Sequence, residues 1–130
     1  MDPTCAFCSP DPDIVFHESQ LVIGLWDQYP VSPGHALLIP RRHVAGWFDA
    51  TPEEQQALTS TLALVRAAIE ESHHPDGYNI GINSGEAAGQ TVHHLHVHLI
   101  PRYQGDSEDP RGGVRFVRPD KAKYWEDFGP

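Results

Sequence analysis

The stretch His94-Leu95-His96-Val97-His98-Leu99-Ile100 decides how the rest of the chain is read. Three histidines alternate with three apolar residues. Period two is the strand period: it sends His94, His96 and His98 to one face and Leu95, Val97 and Leu99 to the other. Neighbouring imidazoles then stand about 6.6 Å apart. A helix would spread the same residues over about 200° of its surface. The apolar face must meet a core. The other face presents groups that serve as nucleophile, acid, base or metal ligand near neutral pH. Three histidines in a row on an apolar strand are costly to bury unpaired, so chance accounts poorly for them.

Outward from this strand, the pattern predicts four more. They lie at 14–16 and 21–26 as a hairpin, at 35–40, and at 78–83, and the histidine strand itself spans 91–100. Between the third and fourth lies a helix. Thr51 can cap it, Pro52 suits its first position, and Glu54 completes a capping box. Leu58, Leu62, Val65 and Ile69 then recur at spacings of four, three and four, one apolar stripe ending near Glu71. Residues 101–113 read as loop, 114–117 as a short strand and 121–128 as a short C-terminal helix. Strands gathered around one long helix predict an α+β domain: an antiparallel sheet of about five strands with the helix on one face. No internal repeat or linker divides residues 1–130, so one domain is expected.

The 130 residues suffice for one domain with a core. The net charge of −9 lies wholly in residues 1–100, which hold three basic and twelve acidic residues; residues 101–130 hold six of each. An acidic body argues against a nucleic-acid-binding surface. No run is long enough to cross a membrane. Met1-Asp2-Pro3-Thr4-Cys5 shows neither a basic n-region nor an apolar h-region, so no signal peptide is expected and the expected location is cytoplasmic. Cys5-Ala6-Phe7-Cys8 is half of a tetrahedral zinc site, a redox dithiol, or two free thiols.

If the helix covers the Leu95, Val97 and Leu99 face, the histidines look the other way, beside the loops that begin at Asp27 and Asn83. Asp27 offers a carboxylate that can accept two hydrogen bonds from a diol. The loop Ser84-Gly85-Glu86-Ala87-Ala88-Gly89-Gln90 offers backbone N–H groups to an anion, phosphate above all. The residues alone therefore predict imidazoles facing a phosphate with a sugar nearby. Singly, Asp27 reads equally as a turn residue and Asn83 as a strand-end cap.

The histidine stretch resembles the His-φ-His-φ-His-φ-φ signature of the histidine triad (HIT) superfamily. Gly89-Gln90-Thr91-Val92 before it, Asn83 and Gly85 upstream, and Pro33-Gly34-His35 leading to Arg41-Arg42-His43 are similar to the family as well. The resemblance covers roughly 5–103, leaving 104–130 as a C-terminal extension. It implies an α+β homodimer with the HIT-like fold. It also implies hydrolysis at the α-phosphate of a nucleotide, a purine nucleoside phosphate, through a nucleotidyl-histidine intermediate. Carried onto this chain, His96 is the nucleophile and His98 contacts the phosphate. Gln90 and Thr91 hold phosphate oxygens or the leaving group, Asp27 binds the ribose and Asn83 positions the sugar–phosphate. His35 is implied to be a buried support. The zinc-containing bacterial branch implies a structural zinc on Cys5, Cys8, His43 and His94, and no organic cofactor.

Tyr29-Pro30-Val31-Ser32-Pro33-Gly34-His35 is closer to the Fhit-like dinucleoside-polyphosphate hydrolases than to the Hint-like phosphoramidases, and Arg102, Arg111 or Arg115 is expected to meet distal phosphates. His98 stands where the uridylyltransferase branch has glutamine, which points to hydrolysis. Nucleotidyl transfer or phosphorolysis is the alternative within the superfamily. Outside it stand a catalytic metal on the histidines and a nucleotide-binding scaffold with little catalysis.

Overall fold

Five antiparallel strands sort the side chains onto two faces. They are β1 (Val15–Glu18), β2 (Val22–Trp26), β3 (Ala36–Pro40), β4 (Gly77–Gly81) and β5 (Val97–Arg102), in the order β1-β2-β3-β5-β4. A computed structural model describes residues 4–127. Met1, Asp2 and Pro3 of the leader reading, and Phe128 at the end of the expected C-terminal helix, lie outside the described residues. The long helix α1 (Pro52–His73) joins β3 to β4. This is the expected α+β, HIT-like arrangement. Among the described residues no helix is long and apolar enough to cross a membrane.

Helix α1 begins as its sequence dictates. The Thr51 hydroxyl accepts the Glu54 N–H at 3.1 Å, and Glu54 Oε1 accepts the Thr51 N–H at 2.9 Å. The Arg42 fork donates to the same carboxylate at 2.8 and 3.2 Å and holds it below the usual carboxylate range. The helix buries Leu58, Thr61, Val65 and Ile69, with Leu62 packed at the margin. It runs to His73, two residues past the expectation. There His74 turns left-handed at φ 53°, because Pro75 disfavours a helical His74.

The helix covers a face built from Val22, Ala36, Leu38, Leu95, Val97 and Leu99. Period-two alternation thus places the apolar half of the histidine stretch in the core. The opposite face carries a smaller cluster, Ile23, Leu25, Leu37 and Ile39, packed under Phe7, Ile14 and Val15 of the N-terminal segment.

Three expectations are corrected. The histidine strand begins at Val97 rather than at 91. Pairing of β3 with β5 stops at Leu38 opposite Val97. Farther along β3, Pro40 has no N–H to continue the ladder, and the Leu95 N–H turns instead to the Val44 carbonyl at 2.8 Å. Residues 114–117 are not a strand but belong to the 3-10 turn Gly113–Val117, entered through Gly112 at φ 90°. The expected C-terminal helix is shorter: α2 (Pro119–Ala122) is followed by a 3-10 turn, Tyr124–Asp127.

Replacing Leu58 by Ala should cost about 2–5 kcal/mol of stability in urea denaturation, as for other fully buried leucines. Leu64→Ala on the exposed side of α1 should stay within about 0.5 kcal/mol.

Candidate functional site

Each histidine of the stretch has a tautomer that traces to a backbone group, which can play only one part. His94 is fully buried, and its Nε2 lies 2.8 Å from the Pro40 carbonyl. A carbonyl only accepts, so Nε2 carries the hydrogen and Nδ1 is left with a lone pair. That nitrogen faces Cys5 Sγ at 3.5 Å and Cys8 Sγ at 3.7 Å. His43 Nδ1 lies 3.1 Å from Cys8 Sγ. Burial pushes His94 down, keeping the ring neutral. The donor atoms of Cys5, Cys8, His43 and His94 all lie within 4.8 Å of one another.

His96 is 9 % exposed, and its Nδ1 lies 2.8 Å from the His94 carbonyl. By the same logic Nδ1 carries a hydrogen, and in the neutral ring the lone pair is on Nε2. The Phe7 ring meets His96 edge-on, centroids 5.2 Å apart.

His98 is fixed through a relay. The Val31 N–H donates to His35 Nδ1 at 3.0 Å, so His35 carries its hydrogen on Nε2. That N–H is directed at His98 Nδ1, 3.0 Å away, with Asp27 Oδ2 at 3.3 Å from the same nitrogen. His98 therefore accepts at Nδ1 and keeps its own hydrogen on Nε2. Burial, then the neighbouring His96 and His35, push His98 down to about 4. Burial also lowers His35, against the pull of Asp27. With both rings neutral, the cluster thus offers a lone pair on His96 and an N–H donor on His98, whose ring centroids are 5.2 Å apart.

These groups line a cleft of about 420 Å³. Phe7, Ile14, Leu25 and Trp26 give it an apolar end; Asp27, Asn83, Thr91, His96 and His98 give it a polar one. Of the candidate residues, Gln90 alone of the nucleotide set is outside the lining. It is 6 % exposed and bonded to backbone on every side. Its Nε2 donates to the Ala45 carbonyl at 2.6 Å and the Val92 carbonyl at 3.0 Å, and its Oε1 accepts the Gly85 N–H at 2.9 Å. Gln90 braces the glycine loop. Asp27 Oδ1 already accepts the Tyr29 N–H at 2.8 Å.

The three arginines expected near distal phosphates are engaged elsewhere. Arg102 forks onto Asp106 with two 2.8 Å bonds and reaches Asn79. Arg111 pairs with Asp109 and lies over Trp125, 4.5 Å from the ring centroid. Arg115 donates to the Ala122 and Lys121 carbonyls at the end of α2. The sequence reading did not single out Phe7. Its signal is its place between two cysteines, inside the turn that the Cys8 N–H closes on the Cys5 carbonyl.

Comparison with known proteins agrees with this geometry. The profile of the HIT domain matches residues 10–105. The chain is 41% identical over 92 residues to a bis(5'-nucleosyl)-tetraphosphatase (asymmetrical) of Schizosaccharomyces pombe, covering 71% of this chain and 50% of that protein. It is 33% identical over 106 residues to an adenylylsulfatase of Arabidopsis thaliana, covering 78% and 54%. The chain thus spans about half the length of these curated relatives. The crystal structure of a Zn-bound histidine triad family protein from Mycobacterium smegmatis superposes with a TM-score of 0.73 at 34% identity, covering 89% of this chain and 91% of that one.

An NMR titration should find the His98 ring turning over near 4, against 6.5 in the unfolded chain. Between those values the unfolded state binds the extra proton, so stability rises with pH through the window and is lost as pH falls toward 4. A His98→Gln variant should show a shallower slope of stability between pH 6.5 and 4.

Proposed function

Because this chain belongs to the HIT domain family, we propose that it is a nucleotide hydrolase cleaving at the α-phosphate through a nucleotidyl-histidine intermediate. The observation that carries this reading is the bond from His96 Nδ1–H to the His94 carbonyl, which puts the lone pair of the neutral ring on Nε2 in a residue that lines the cleft. A neutral imidazole with one nitrogen occupied as a donor and the other unprotonated is a nucleophile ready to react near pH 7.

In the first step the Nε2 pair of His96 forms a bond to the α-phosphorus, and the bond to the leaving group breaks with its electron pair going to that group. His96 becomes a phosphorylated imidazolium that keeps its Nδ1–H on the His94 carbonyl. The His98 Nε2–H donates to the phosphate as charge moves onto its oxygens, and Thr91 reaches the same polar end. In the second step water attacks phosphorus, the P–N pair returns to His96, and the water proton passes to solvent. The product is a nucleoside monophosphate. Asp27 accepts the ribose hydroxyls with its remaining lone pairs, Asn83 positions the sugar–phosphate, and the base lies against Phe7, Ile14 and Trp26. Gln90 acts by shaping the loop beneath the phosphate. Dinucleoside polyphosphates and nucleoside phosphoramidates are the substrate classes of this reading, with purine bases.

A structural zinc belongs to the same proposal. In a tetrahedral site with Zn–S near 2.3 Å and Zn–N near 2.05 Å, sulfur and nitrogen stand about 3.6 Å apart. The S–N separations of 3.1, 3.5 and 3.7 Å bracket that value. The His94 Nε2–H on the Pro40 carbonyl is the outer hydrogen bond that orients a ligating histidine. Four protein ligands close the site, so zinc would supply a cross-link between the N-terminal segment and the sheet. The neighbour from Mycobacterium smegmatis, described as Zn-bound, supports the assignment.

A homodimer and a cytoplasmic location complete the reading. β4 is a sheet edge with Ile80 half exposed, a place where a second copy can add. Residues 104–130 extend the single domain.

Mass spectrometry of protein mixed with a nucleotidyl substrate should show an adduct of one nucleoside monophosphate in wild type and none in His96→Ala; an equal adduct in both would defeat the mechanism. Metal analysis of protein purified without added zinc should find about one zinc per chain, lost in Cys5→Ser together with a lower Tm. No zinc, and no effect of the substitution, would defeat the metal assignment.

A further inference from the structure

The four-ligand cluster and the nucleophile are connected twice. The first connection is the backbone: His94 supplies a ligand nitrogen on one side and, through its carbonyl, holds His96 Nδ1–H at 2.8 Å on the other. The second is Phe7. It lies within the turn closed by Cys5 and Cys8, and its ring edges onto His96 at 5.2 Å with an interplanar angle of 63°. The same ring meets His94 at 6.0 Å and 88°. A cation that draws Cys5 and Cys8 to His43 and His94 therefore fixes where the Phe7 ring stands, and that ring limits how the His96 imidazole can turn about its hydrogen bond.

We propose that Phe7 is a positioning residue for the nucleophile. In this device the Cys5–Cys8 turn makes the orientation of His96 depend on the metal cluster. The inference rests on the hydrolase reading for its kinetic consequence alone; the structural coupling stands apart from it. The physical basis is geometric. Edge-to-face aromatic pairs have a preferred geometry and are worth up to several-fold in an equilibrium. Attack on phosphorus tolerates little misplacement of the attacking atom. Phe7 also lines the cleft. A wall residue would act on substrate affinity, whereas a positioning residue acts on the bond-forming step.

The experiment compares wild type, Phe7→Leu and Phe7→Tyr as zinc-loaded protein, using AMP as the binding probe and the p-nitrophenyl ester of AMP as the reacting probe. All four ligand residues remain, so each variant should hold about one zinc per chain. Phe7→Leu shortens the wall that the base lies against and should weaken AMP binding, so rates are compared at saturating substrate. Its rate of adduct formation in a single turnover should fall about three- to tenfold, the scale of one lost aromatic pair. Phe7→Tyr should restore most of that rate. Independently of any turnover, the His96 ring signals in nitrogen-15 NMR should shift in Phe7→Leu, and chelating zinc should move them less in Phe7→Leu than in wild type, because the ring that carries the second connection is gone. Unchanged adduct formation with unchanged ring signals overturns the proposal. So does a loss confined to AMP affinity, which would make Phe7 a wall only, and so does loss of zinc from Phe7→Leu, which would make the ring packing for the metal cluster. Were wild type to form no adduct at all, the hydrolase reading would fail, while the ring signals would still decide the coupling.

Discussion

Much of this molecule hangs on three polar atoms of one buried residue. The Nε2–H of His94 is tied to the Pro40 carbonyl, its Nδ1 faces the two sulfurs, and its backbone carbonyl holds His96. Each bond removes an ambiguity. The first fixes which nitrogen of His94 is bare, the second gives that nitrogen an object, and the third fixes which nitrogen of His96 is bare. Because His94 is fully buried, none of these groups has water as an alternative partner. The chemistry of this stretch is thus set by hydrogen-bond logic before any ligand arrives.

The relay through His35 is the complement on the other side. The Val31 amide sets His35, His35 sets His98, and Asp27 stands beside the shared proton. Both chains start from a backbone group, which has no freedom to exchange donor for acceptor. Two imidazoles 5.2 Å apart are thereby given opposite parts, one with a lone pair and one with an N–H toward the cleft. Burial keeps His98 in its neutral part, since protonating it would place charge beside the His96 and His35 rings.

The fold was legible where a pattern repeats. Alternation from Leu95 to Leu99 and the stripe Leu58, Val65, Ile69 were read correctly, because burial of one face leaves a periodic record. Thr51, Pro52 and Glu54 announced their helix because the capping groups are neighbours in sequence. The misreadings fall where a distant partner decides. β5 starts late because Pro40, more than fifty residues earlier, cannot continue the ladder. Residues 114–117 do not form a strand because Gly112 admits a tight turn and Arg115 folds back onto Ala122.

The sequence by itself determined the α+β fold class, the long helix and the presence of an imidazole row backed by a core, since these depend on local period and on the chemistry of single side chains. Only the tertiary structure decided how those groups divide their tasks. It turned Gln90 inward to brace the loop, paired Arg102, Arg111 and Arg115 away from the cleft, set Asp27 beside His35, and brought Phe7 against His96. The physical reason is that a hydrogen bond or a ring contact acts over a few ångströms of space. Residues such as Cys5 and His94 are 89 positions apart along the chain, and only the packed sheet makes them neighbours.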